Sequence, residues 1–185
     1  MADTPAYNNA RFKIGLYDWD LFRGPRAGEM APDFLLSDLE TGDHVSLSDF
    51  KGRWLTIETG SSTCSMYTKN ISGMETLSTE HPDVEFVLVY VREAHPGERL
   101  HQHKNFQEKV IAAKILKPRY KESRRILVDS HDGSFHQPYG MKPNFIYVVR
   151  PDGIVHYRCD WANADGLKDA LENRSQLRTQ EHADM

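Results

Sequence analysis

Cys64 is the residue whose setting in the sequence most clearly suggests chemistry. It directly follows the small polar run SST (61–63). An apolar segment at 54–57 precedes this run, and a segment at 65–80 whose apolar residues have near-helical spacing follows the cysteine. A cysteine at a helix N-terminus lies beside unpaired backbone N–H groups at the positive end of the helix dipole, and both stabilise the thiolate. The alternative is a small buried hydrophobic residue, as free cysteines often are. The polar neighbours favour a reactive thiol.

Two further segments carry residues that could assist this thiol. REAHPGE (92–98) follows an apolar run and supplies Glu93 and His95, which could protonate a leaving group or hold a thiolate. The alternative is that Glu93 caps a helix while His95 fills a turn. In YGMKPNFIYVV (139–149), Pro143 precedes a strand, either with a cis peptide bond or as an ordinary proline at a strand start.

The composition excludes several classes of function. A chain of 185 residues with 39% hydrophobic content can bury one substantial core. The net charge of −4 shows no electrostatic footprint for nucleic acid. No stretch has the length of a membrane span, and the N-terminus has no signal-like apolar region, so we expect a cytoplasmic protein with no membrane partner.

The second cysteine, Cys159, bears on how an oxidised Cys64 could be reset. It could condense with Cys64 as a resolving residue, or it could be an inert, half-buried cysteine. Without a CxxC pair, an external thiol, either a small thiol or thioredoxin, is the expected reductant, and no bound cofactor is expected. The pair His101 and His103 lacks the ligand spacing of a metal site and is interpreted as part of a solvated helix end.

The apolar pattern predicts alternating strands and helices. Strands are predicted at 34–36, 44–47, 54–58, 84–91, 126–128, 145–149 and 154–157, and helices at 65–80, 98–114 and about 163–174. A short helical turn is predicted within 46–52, and Asn163 or Asp165 is predicted to cap the last helix.

This order of elements predicts an α/β, thioredoxin-like fold with a central mixed β-sheet flanked by helices and with an N-terminal β-hairpin. We expect an arm at 1–28, the domain at 29–175 and a flexible tail at 176–185. The aromatic residues of the arm suggest that it wraps the domain or binds a partner, including a second copy in a homodimer.

Three of these segments resemble one family. GSSTCSMY (60–67), VEFVLVYVREAHPGE (84–98) and YGMKPNFIYVVRPDGIVHYR (139–158) are similar to the iodothyronine deiodinases and their bacterial relatives. The opening APDFLLSDLETGDHVSLSDFKG (31–52) also resembles the start of peroxiredoxins. The deiodinase resemblance implies that Cys64 occupies the selenocysteine position, with Glu93 and His95 as its polar partners. The supporting positions are Ser62, Thr63, Ser65, Tyr67, Pro143 and Asn144.

We therefore expect a thiol-dependent oxidoreductase acting on a small molecule. In the leading interpretation the Cys64 thiolate attacks the iodine of an aryl iodide in a reductive dehalogenation, and His95 and Glu93 relay the proton. Peroxide reduction begins with the same attack by the thiolate on an electrophilic atom, so it stays open as an alternative. Peroxiredoxins use an arginine to stabilise the peroxide, and Arg124, Arg125 or Arg158 could take that place here. A redox-inactive binding module with the same fold is the alternative from another class.

Overall fold

The structure is a computed structural model that describes residues 7–12, 21–97 and 100–175. Its strands are β1 (Leu35–Asp38), β2 (His44–Ser46), β3 (Trp54–Gly60), β4 (Val84–Tyr90), β5 (Arg125–Val128), β6 (Ile146–Val149) and β7 (Val155–Cys159). Its α-helices are α1 (Ser65–Glu80), α2 (Phe106–Lys114), α3 (Leu116–Tyr120) and α4 (Ala164–Glu172). The 3₁₀ helices Leu47–Phe50 and Asn173–Ser175 complete the described elements.

The strands form one mixed seven-stranded sheet in the order β2-β1-β5-β4-β3-β6-β7. Strands β3, β4 and β5 are parallel neighbours, and β6 pairs antiparallel with β3. The hairpin β1–β2 is antiparallel and joins the sheet through β5. This arrangement confirms the thioredoxin-like α/β fold with its N-terminal hairpin.

The core divides between the two faces of the sheet because successive side chains of a strand point in opposite directions. In β4, Val87 and Val89 pack in one cluster with Phe34 and Phe145. Leu88 and Tyr90 pack instead with buried residues of α1, α2 and α3. A third cluster joins the far end of α1 to α4. Apart from Glu85, every residue of β4 is buried, as its almost continuous apolar sequence predicts for a strand covered on both faces.

One predicted helix is wrong in its extent. The expected helix at 98–114 begins only at Phe106, where the side chain of Asn105 accepts a hydrogen bond from the Glu108 N–H at 2.9 Å. Residues 100–105 are not helical, and 98–99 lie outside the described residues. The helix is also less exposed than its charged sequence indicates, since Lys109 is buried. The short helix α3 was not predicted.

The remaining boundaries agree to within about two residues. Helix α1 has the predicted bounds, and the side chain of Asn163 caps α4 by accepting from the Gly166 N–H at 2.7 Å. Strand β7 is longer than expected, so Cys159 lies inside the strand and not after it. The predicted arm is described at 7–12 and 21–28, while its residues 1–6 and 13–20, and the tail at 176–185, lie outside the described residues.

Candidate active site

Cys64 lies where the strand–helix connection reaches the carboxyl edge of the parallel strands. It is the N-cap residue of α1, in an extended conformation, and its N–H donates to the Ser61 carbonyl at 3.1 Å. Gly60 ends β3 directly under the first turn of this helix, where a Cβ would lie 2.5 Å from the Tyr67 ring. Glycine therefore allows the close approach that places the sulfur at the helix N-terminus.

The surroundings of Cys64 differ from those predicted. Its side chain is only 1% exposed and packs in a cluster with Tyr67, Ile71 and Tyr90. Burial raises the pKa of the Cys64 thiol, and this effect outweighs the backbone N–H groups of Met66 and Tyr67, which favour the thiolate. The expected lowering of the pKa is therefore wrong for this structure, in which the thiol is the resting form at neutral pH.

Glu93 organises the polar side of the site. Its carboxylate is buried at the end of β4 and accepts hydrogen bonds at both oxygens. Oε2 accepts from the Thr63 N–H at 2.9 Å and the Thr63 hydroxyl at 2.6 Å. Oε1 accepts from the Tyr90 hydroxyl and from His103 Nε2, the latter at 3.2 Å. The residue immediately before Cys64 is thus tied to Glu93, as the predicted pairing of these segments requires.

These donors decide the charge of Glu93. Burial alone would raise its pKa, but the hydrogen bonds from His103, Thr63 and Tyr90 outweigh that effect and hold the pKa of Glu93 below its usual value. Glu93 is therefore an ionised acceptor at neutral pH, and it requires His103 Nε2 to carry a proton.

His103 was missed by the sequence analysis, which placed it on a solvated helix end. The imidazole is buried, and its Nδ1 has no hydrogen-bond partner among the described residues. Neighbouring Gln102 is buried as well, and its side chain pairs with the Glu93 backbone, accepting from the N–H at 3.0 Å and donating to the carbonyl at 3.2 Å. No spacing in the sequence signals these contacts, because they depend on how the loop after Glu93 folds back.

His95 joins the same group from the other side of Thr63. Its backbone N–H donates to the Thr63 hydroxyl at 3.0 Å, and its ring Nδ1 lies 3.2 Å from the Thr63 carbonyl. A carbonyl only accepts, so Nδ1 donates and Nε2 of the neutral ring keeps its lone pair. The side chain is exposed, and the Phe12 ring stacks on it with centroids 4.5 Å apart.

A second, fully buried charged cluster lies beside Cys64 on β3. Arg124 donates to Glu58 at 2.7 Å and to Glu122 at 2.7 Å, and the Tyr67 hydroxyl donates to Glu122 at 2.6 Å. Burial raises the pKa of Glu58 against the opposing effect of Arg124. The Glu58 charge in turn adds to the raised pKa of the Cys64 thiol.

The other predicted supporting residues serve mainly to hold the site together. Ser62 contacts the Tyr90 hydroxyl at 3.2 Å, and Ser65 is the exposed first residue of α1. Asn144 donates to Glu58 at 3.0 Å and to the Thr59 carbonyl at 2.5 Å, so it ties the start of β6 to β3. The described residues contain no cis peptide bond, so Pro143 is an ordinary trans proline.

The three arginines considered for a peroxidase are engaged elsewhere. Arg124 is paired with Glu58 and Glu122 in the cluster just described. The half-exposed Arg125 pairs at 2.7 Å with the buried carboxylate of Asp38. Arg158 donates to the Gly24 carbonyl at 2.6 Å. Each of these guanidinium groups is therefore hydrogen-bonded to carboxylate or carbonyl acceptors rather than to the Cys64 sulfur.

The structure also shows the environment of Cys159, the possible resolving residue. Both cysteines are free, and the Cys159 thiol donates to the Trp161 carbonyl at 2.9 Å. Strand β6 separates β7 from β3, so a resolving role for Cys159 stays a prediction.

Across the described ranges, no group of three or more acidic, histidine or cysteine residues is placed to hold a metal ion. No helix in those ranges is long and apolar enough to cross a membrane.

Comparison with known families decides how this geometry is interpreted. The model of the iodothyronine deiodinase family matches residues 6–162. This chain belongs to the iodothyronine deiodinase family. Its curated relatives in that family include the thyroxine 5-deiodinase of Sparus aurata, 23% identical over 149 residues that cover 74% of this chain and 55% of the relative. The thyroxine 5-deiodinase of Gallus gallus is 24% identical, with 74% and 57% covered. The chain thus spans little more than half the length of these relatives.

Comparison with solved structures confirms the thioredoxin-like fold of this chain. A putative protein disulfide isomerase from Bacteroides thetaiotaomicron superposes with a TM-score of 0.63 at 17% identity, covering 85% of this chain and 94% of the other. A thiol peroxidase from Chromobacterium violaceum superposes with a TM-score of 0.59 at 14% identity, covering 82% and 89%. At these identities the superpositions show the fold alone, and they agree with the thioredoxin-like arrangement of the seven-stranded sheet.

Proposed function

We propose that the protein catalyses reductive dehalogenation of an aryl iodide, with Cys64 as the nucleophile. The observation that carries the proposal is the hydrogen-bonded chain that joins Thr63, directly before the nucleophile, to Glu93 and His95. The curated relatives are named for deiodination of thyroxine, and an iodinated aromatic ring is the corresponding substrate class for this chain.

The buried thiol sets the order of events. Because the resting sulfur is protonated, the nucleophile forms only when a base accepts the proton and the sulfur becomes accessible. Because Nδ1 donates to the Thr63 carbonyl, Nε2 is the ring nitrogen of His95 that can accept this proton. Glu93 stays ionised, holds Thr63 and with it the carbonyl that orients His95. The buried pair of His103 and Glu93 stabilises this arrangement from the inner side.

The reaction balances without a bound cofactor. The sulfur attacks iodine, the carbon–iodine bond breaks and its electron pair stays on the ring carbon, which takes up the proton held by His95. The products are the deiodinated ring and a Cys64 sulfenyl iodide. An external thiol then attacks the Cys64 sulfur, releasing iodide and a proton and forming a mixed disulfide. A second thiol returns Cys64 to the thiol and leaves as the disulfide of the reductant.

The test compares iodide release with peroxide loss. Full-length protein is incubated with dithiothreitol and either an iodinated phenol or hydrogen peroxide, for wild type, Cys64→Ser and the control Cys159→Ser. We expect iodide release that Cys64→Ser lowers more than about 1,000-fold and Cys159→Ser leaves intact. Peroxide loss without iodide release would replace the proposal with a peroxidase. Loss of neither substrate would favour the binding module.

A further inference from the structure

Residues 7–12 of the arm cross the candidate active-site edge and contact the domain at both ends. At one end, the Tyr7 hydroxyl lies 2.8 Å from His136 Nδ1 and its carbonyl accepts from Arg92. Asn8 adds a hydrogen bond of 2.7 Å to the His131 carbonyl. At the other end, the Phe12 ring stacks on the His95 imidazole with an interplanar angle of 33°.

The Tyr7 end is a directional anchor. His136 Nε2 lies 2.7 Å from the Lys142 carbonyl, which only accepts, so Nε2 carries the ring proton and Nδ1 accepts from the Tyr7 hydroxyl. Burial, assisted by Arg92, lowers the pKa of His136 to about 3, which keeps this ring neutral. The Tyr7 ring also lies 4.9 Å from the Arg92 guanidinium and 5.9 Å from the Lys109 ammonium, within cation–π range.

The seat of this ring is shaped for it. A Cβ at Gly133 would lie 2.3 Å from a Tyr7 ring carbon, so a side chain there would expel the tyrosine. The partners of Tyr7 come from the end of β4, from α2 and from the loop after β5, all parts of the domain. The arm is therefore fixed to the same edge of the sheet that carries Glu93.

The Phe12 end acts on a ring with few other constraints. His95 is exposed on its loop, and among the described residues its ring forms one hydrogen bond, to the Thr63 carbonyl. One hydrogen bond fixes the position of Nδ1 but leaves the ring plane free to rock about it. A stacked aromatic ring removes this freedom, and five residues of extended chain span up to about 17 Å from Tyr7 to Phe12.

We propose that residues 7–12 form a strap, anchored by Tyr7, that makes Phe12 a positioning residue for the imidazole of His95. The catalytic part of this inference rests on the function proposed above, while the mechanical part does not. The described contacts of Tyr7 are with His136, Arg92 and Lys109, so we expect its influence on the His95 ring to pass through the strap.

Nuclear magnetic resonance tests the mechanical part without any activity. In full-length Cys64→Ser protein, the ring-proton resonances of His95, assigned by their loss in His95→Asn, report the ring current of Phe12. We expect Phe12→Ala to shift these resonances, and Tyr7→Ala and Tyr7→Phe to shift them in the same direction. The exposed strap position Arg11, as Arg11→Ala, is the control. A His95 resonance that responds to Phe12→Ala but to neither Tyr7 variant would overturn the strap.

Kinetics with the iodinated phenol test the catalytic part. Orienting an acid–base group accounts for part of the rate enhancement that the group provides. We therefore expect Phe12→Ala and Tyr7→Ala each to lower kcat about tenfold and to change KM by no more than about twofold. The aromatic replacement Phe12→Trp should restore kcat, and the double variant should lose no more than either single one. An increase in kcat would overturn the positioning role and show that the strap is a lid. Absence of iodide release in wild type would overturn the proposed function while the resonances still decide the strap.

Discussion

Two buried carboxylates, Glu58 on β3 and Glu93 in the loop after the neighbouring parallel strand β4, have pKa values shifted in opposite directions. The pKa of Glu58 is raised, although Arg124 donates to it, because it is fully buried and Glu122 adds a like charge nearby. The pKa of Glu93 is lowered, because hydrogen bonds from His103, Thr63 and Tyr90 outweigh its desolvation. Burial alone therefore does not decide the direction in which the pKa of a carboxyl group moves. The number and kind of donors decide it, and they distinguish the Glu58 cluster from the Glu93 network of the candidate site.

The largest expected effect is a loss of stability on removing Arg124, the cation that pairs with both Glu58 and Glu122. Arg124→Met leaves Glu58 and Glu122 buried without their cation, and we expect it to lower the free energy of unfolding by about 3–5 kcal/mol. The control Arg53→Met breaks the exposed pair with Glu85 and should cost less than about 1 kcal/mol. Urea denaturation at pH 7 measures both. Equal losses for the two variants would mean that the buried cluster is not a structural unit.

The second expected effect is on activity, at the carboxylate near the thiol. Glu93→Gln keeps the shape of the side chain but loses the charge that holds the donors, and we expect kcat for iodide release to fall about 100-fold. Glu85→Gln changes a carboxylate on β4 that forms a surface ion pair with Arg53, so it is the matched control and should retain activity. An active Glu93→Gln enzyme would place the proton transfer outside the Glu93 network.

A third, smaller effect connects the carboxylates to the sulfur. Because burial and the nearby Glu58 and Glu93 charges raise the pKa of Cys64, its alkylation by iodoacetamide should rise with a midpoint above the free-thiol value of about 8.5. Glu93→Gln removes one of these charges and should move the midpoint down. Mass spectrometry across pH, in a Cys159→Ser background, measures the rate. A midpoint below 8.5 in wild type would contradict the raised pKa.

The smallest expected effect is on the pH dependence of stability, which should have opposite signs for the two carboxylates. The lowered pKa of Glu93 contributes stability above its unfolded value of about 4.3, and this contribution is lost as the pH falls through the folded value. The raised pKa of Glu58 contributes stability that is fully present below about 4.3 and is lost as the pH rises through its folded value. Unfolding of Glu93→Gln and Glu58→Gln across pH should therefore deviate from wild type with opposite slopes. Slopes of the same sign would contradict the comparison.

Much of the fold could be predicted because its signals are local. The apolar run of β4 and the spacing of Met74 and Leu77 in α1 reflect burial of one strand and one helix face. The convergence of Glu93, His95 and Cys64 followed from the rule that polar loops meet at the carboxyl edge of parallel strands. The burial of Lys109 and His103 could not be predicted, because charged and polar residues mark a surface until a distant partner satisfies them.

The sequence by itself determined the family, the thioredoxin-like order of strands and helices, and the position of Cys64 between a strand and a helix. These features depend on motif and periodicity along the chain. Only the tertiary structure decided that this sulfur is buried with a raised pKa, that Glu93 stays ionised, and that residues 7–12 reach His95. Each of these properties depends on desolvation and on donors that are far apart in sequence. Their balance exists only once the chain has folded.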